Sequence, residues 1–141
     1  MESIKFLVDY AIFGILGFMS VLSLAYALER WFFYRKIDVM EYRLAEKLEN
    51  DLTKNLTALS IISSNAPYIG LLGTVIGIMV TFYDMGQTEN IDSKVILVGL
   101  SLALKATALG LIVAIPSLMI YTACLRKCDL LMAKWKANNA S

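Results

Sequence analysis

Histidine is absent from this sequence of 141 residues. The commonest metal ligand and the commonest acid or base near neutral pH are therefore both missing, which removes ordinary hydrolase triads and histidine-containing zinc sites. Cysteine is scarce. Cys124 and Cys128 stand four apart near basic residues, and two thiolates alone do not close a zinc site. A disulfide between them would span one helical turn and constrain almost nothing, so they read as packed or surface thiols. Proline occurs twice, and charged residues make up 18% where soluble domains carry roughly 25%. Neither sign of charge dominates, with 13 Lys and Arg against 12 Asp and Glu. No overall field gathers nucleic acid. The expectation is a chain with no metal, no cofactor and no catalytic centre, hence not an enzyme.

What fills the chain is apolar. Hydrophobic residues reach 58%, above the about 45 to 50% of soluble domains. Three windows organise them into a single membrane domain over residues 1–141, all-α in class, with spans expected near 6–28, 66–83 and 95–121. Each is about as long as the ~20 residues a bilayer crossing needs. The third apolar run, from Val95 to Leu125, is longer than the hydrocarbon layer. Pro116 gives it a place to bend, and Pro67 does the same near the start of the second. The first run has a signal-peptide competitor in Ala25-Tyr26-Ala27, but its flanks oppose cleavage. Acids (Glu2, Asp9) outweigh Lys5 before it, whereas Arg30, Arg35 and Lys36 follow it.

Basic residues fix the expected topology. Residues 29–64 hold six and the tail 126–141 holds four, so ten of thirteen fall on one side of the membrane. The positive-inside rule makes that side cytoplasmic, with the N-terminus and the short 84–94 connection outside. Within the cytoplasmic segment Leu44, Leu48, Leu52, Leu56 and Leu59 recur at helical spacing and predict an amphipathic helix. Asn65 and Pro67 mark either a helix start or a kink in one long helix. The tail, with Leu130, Leu131 and Trp135, either lies on anionic lipid or continues the third helix into the cytoplasm.

Small residues inside the spans predict close helix packing. Gly70, Thr74, Gly77 and Thr81 follow spacing 4, 3, 4, and Gly73 adds a GxxxG pair with Gly77. In the third span Ala103, Thr107, Gly110, Ala114 and Ser117 follow 4, 3, 4, 3. Counting helical rise from the outer ends places Thr74 and Thr107 at similar depth, near the midplane. Their hydroxyls either bond back to their own helices or serve a function. Lys105, ten residues past Val95, is a charge deep in the bilayer and about 200° around the helix from Thr107. It either snorkels into a wet crevice or pairs with a buried acid.

The stretches NAPYIGLLGTVIGIMVTF and ALKATALGLIVAIPSLMIY resemble the second-span and third-span signatures of the ExbB, TolQ and MotA family. Three spans and a basic cytoplasmic segment fit the ExbB and TolQ branches, with ExbB the nearer. The resemblance implies a subunit of a proton-driven motor in the bacterial inner membrane. It also implies a homo-oligomer, a pentamer, around two copies of an ExbD-like single-span partner, working with a TonB-like protein to energise outer-membrane uptake. A TolQ-like role in envelope integrity, and a non-conducting scaffold or small anion transporter using Lys105, are the alternatives. By the same resemblance Thr74 and Thr107 line the proton pathway and the titrating acid belongs to the partner helix. Leu102 stands where many relatives carry a glutamate. Lys105 is then expected to pair with the partner's aspartate, since Asp9, the in-chain acid, counts several ångström too shallow.

Overall fold

The computed structural model describes residues 2–87 and 92–140. Four α-helices carry nearly all of them: α1 (Glu2–Lys36), α2 (Ala45–Leu52), α3 (Leu56–Gly86) and α4 (Ser93–Ala140). A single 3-10 turn, Val39–Glu41, stands between α1 and α2. Three helices, α1, α3 and α4, are long and apolar enough to cross a membrane. At 1.5 Å per residue the 48 residues of α4 make a rod of about 72 Å, more than twice the roughly 30 Å of hydrocarbon. The tail of the chain is thus the continuation of α4 beyond the bilayer. Its Trp135 faces inward, with Nε1 donating to the Tyr42 carbonyl at 2.9 Å.

The leucine stripe is split. Leu48, Leu52, Leu56 and Leu59 are all buried, but the helix breaks between them, where Asn55 takes a left-handed φ of 70°. Asparagine tolerates that conformation better than most side chains. Leu44 leaves the stripe: it is the extended residue before α2 and is 67% exposed. The helix carrying the second span begins at Leu56, so Asn65 and Pro67 do not start it; Pro67 lies inside a continuous helix, as Pro116 does in α4.

Two cores result. One, in the apolar half, gathers Ile12, Leu16 and Met19 of α1 with Ile62 and Ala66 of α3 and Ala106 and Ala114 of α4. The other lies at the basic end, where α2 folds under α1 and buries Leu48 and Leu52 beside Cys124 and Cys128. Both cysteines are free and buried.

A buried arginine ties that second core together. Arg30, 1% exposed, extends from α1 and donates to the carbonyls of Asp51 at 2.7 Å and Leu52 at 3.1 Å. These are C-terminal carbonyls of α2, which have no partner within their own helix and carry the negative end of its dipole. Glu29 accepts two further bonds from the guanidinium, and the Phe33 ring sits 4.3 Å from its carbon. Burial of this charge is possible because almost every donor is used.

Candidate functional site

α3 and α4 run antiparallel and touch backbone to backbone. A Cβ added to Gly70 would come within 2.6 Å of the Ala106 carbonyl and 3.1 Å of the Gly110 Cα; one added to Gly110 would meet the Ala66 carbonyl at 2.6 Å. Gly73 faces the Ala106 methyl and Gly77 the Ala103 methyl, each at 2.8 Å from an added Cβ. Ala114 is buried in the same α4 face. With no hydrophobic drive between helices in lipid, such close approach is what holds them together.

The approach brings two hydroxyls into contact. Thr74 Oγ1 and Thr107 Oγ1 are hydrogen-bonded across the two helices. Thr74 Oγ1 also lies 2.8 Å from the Ala103 carbonyl of α4, nearer than the 3.3 Å to Gly70 of its own helix. A hydroxyl has one proton to give. If Thr74 donates to Ala103, Thr107 must donate to Thr74, and the two form a short chain with one direction. Thr81, by contrast, bonds back to Gly77 at 2.9 Å, the local habit. Thr74 is 7% exposed while Thr107 is only half-buried, so the chain begins inside the helix pair and ends at its surface.

Lys105 is exposed on the flank of α4 away from Thr107, with Nζ 6.0 Å from the centre of the Phe13 ring on α1. Among the described side chains the ion pair is Arg30 with Glu29, and none includes Lys105. A second polar contact crosses the bundle nearer the basic end: Ser23 of α1 and Ser117 of α4 are 2.7 Å apart and buried. Beyond the spans, Tyr42 donates to Asp51 at 2.6 Å, and this carboxylate pushes the phenol up to about 12. No three of His, Cys, Asp or Glu converge among the described residues.

Sequence reasoning did not single out Arg30 as buried, nor Ser23. By its place in the sequence Arg30 is a flanking charge like Arg35; the α2 carbonyls and the Phe33 ring that surround it come together only in the fold. Ser23 carried a weak signal, four residues from Met19 and seven from Leu16 on the buried stripe of α1.

Fold and site together define a multi-span helical membrane protein with a polar contact threaded through its tightest helix pair. The sequence matches the MotA/TolQ/ExbB proton channel family over residues 26–137. It is 56% identical over 136 residues to the biopolymer transport protein ExbB of Helicobacter pylori strain J99, covering 96% of this chain and 94% of that one. A putative ExbB-like 2 protein of H. pylori strain 26695 is 52% identical over 131 residues, covering 93% and 87%. ExbB of Aquifex aeolicus is 50% identical over 137 residues, covering 97% and 93%. The chain belongs to the MotA/TolQ/ExbB proton channel family, in its ExbB branch. It is an ExbB-like energiser of transport, built as a multi-pass inner-membrane protein.

Proposed function

We propose that this chain is a subunit of a proton-driven motor, with Thr74 and Thr107 on the path the proton takes. The contact between these two hydroxyls carries the reading. Hydroxyls can accept and donate in turn, and this pair opens to the helix surface at Thr107. A partner helix bearing a carboxylate there completes the route. The chain assembles as a pentamer around two copies of an ExbD-like single-span protein, and a TonB-like protein carries the work to outer-membrane uptake. Lipid surrounds the exposed apolar faces, such as those of Phe18, Met79 and Ile112. The ten basic residues at one end favour a periplasmic N-terminus and a cytoplasmic C-terminus.

Reconstitution tests the division of labour. The full chain is placed in vesicles with and without its ExbD-like partner, under an imposed pH gradient. Flux should appear only with both. Equal, substantial flux from the chain alone contradicts the proposal, and absence of flux with a stably bound partner favours a scaffold.

A further inference from the structure

Asp9 and Lys105 are the only charged residues within the spans 6–28, 66–83 and 95–121, and they have opposite signs. We infer that they form an intramembrane ion pair that clamps α1 to α4 on the flank away from the threonine contact.

The register of the two helices carries this. Ser23 meets Ser117 and Tyr34 meets Cys128, pairs separated by 94 residues each. Ile12 and Ala106 repeat the same offset: both approach Gly73, whose added Cβ would lie 2.8 Å from the Ala106 methyl and 3.3 Å from Ile12 Cγ2. α1 and α4 are therefore parallel and in step through three successive layers. That step sets Asp9 level with Ala103, two residues from Lys105, or about 3 Å along the axis. Counting from the ends of the apolar runs made Asp9 too shallow because it assumed that both runs start at the same plane. The layers show otherwise. Gly77 of α3 packs on Ala103, and Asp84 lies seven residues farther out along α3, so Asp9 stands about 10 Å inward of that acid.

Lateral placement agrees. Lys105 Nζ lies over the ring of Phe13, and Asp9, four residues before Phe13, is one turn farther out on the same side of α1. Helical side chains lean toward the N-terminus, which directs the lysine stem toward the turn that Asp9 occupies. Asp9 is half-buried, Lys105 and Phe13 exposed. Rotation of the flexible four-carbon stem moves the ammonium from the ring to the carboxylate. In low dielectric neither charge is tolerated alone, and together they satisfy each other. Resting on the proton-pathway reading, one consequence is that the pair holds a fixed positive charge about 200° around α4 from Thr107, where it does not repel the proton.

By spacing, Lys5, also four residues from Asp9, is the rival counter-ion; a partner's acid is the rival for Lys105. A double-mutant cycle on the full chain, read as thermal unfolding in detergent rather than as flux, separates them. Asp9→Asn and Lys105→Met should each lower the midpoint. The double variant should lose less than their sum, a coupling on the order of tenfold in the folding equilibrium, whereas Lys5→Gln should add independently to Asp9→Asn. Additive losses for Asp9 and Lys105, or coupling to Lys5 instead, overturn the pair. If single variants fail to accumulate, the swap Asp9→Lys with Lys105→Asp should restore membrane accumulation. Accumulation no better than with Asp9→Lys alone overturns it equally.

Discussion

Gly70 and Gly110 face each other across α3 and α4 so closely that a Cβ on either would lie 3.1 Å from the other's Cα. Each also has a backbone carbonyl of the opposite helix at 2.6 Å from that added carbon. Backbone cannot swing aside as a side chain does, so an alanine at either position must push the helices apart. The separation of the helices in turn sets whether Thr74 and Thr107 touch.

Gly70→Ala and Gly110→Ala are accordingly expected to destabilise the chain by about 1 to 3 kcal/mol, the usual cost of overpacking. Gly17 has nothing within 4 Å of an added Cβ, and Gly17→Ala should leave the chain as stable or slightly more so, because alanine is the better helix former. Thermal unfolding of the detergent-solubilised variants compares them. A Gly70→Ala protein no less stable than Gly17→Ala would mean that the two helices are not held at this distance.

Arg30 makes a different prediction. Arg30→Met removes the donor to the part-buried Asp51 carbonyl and one of the donors to the Leu52 carbonyl, which keeps the Tyr34 hydroxyl at 2.7 Å. At about 1 to 3 kcal/mol for the one carbonyl left unsatisfied, the basic-end core should loosen by that amount, seen as earlier unfolding and faster proteolysis between α1 and α3. Arg30→Lys should recover only part, because an ammonium is a point charge without the planar fork that reaches carbonyls and carboxylate together. A wild-type stability for Arg30→Met would show that α2 is held in place without the arginine.

The helix pair at the centre was legible in the sequence because its signal is periodic. Small residues at spacing 4, 3, 4 on both α3 and α4 can be read without knowing the partner, and the threonines sit in the middle of each run. The leucine stripe was legible as apolar spacing but not as two helices. One asparagine in a left-handed conformation breaks it without disturbing the spacing of Leu48, Leu52, Leu56 and Leu59. Arg30 could not be read, since its burial depends on where α2 returns. The depth of Asp9 needed the register of α1 on α4, which no single helix encodes.

The most direct measurement is proton flux through vesicles holding the chain with its ExbD-like partner, wild type beside Thr74→Val and Thr107→Val at equal protein content. Valine keeps the β-branched outline and removes the hydroxyl, so assembly should persist. Flux should fall about tenfold or more, equivalent to roughly 1.4 kcal/mol or more of added barrier. Wild-type flux from both variants would contradict the account and leave the contact between Thr74 and Thr107 as helix packing.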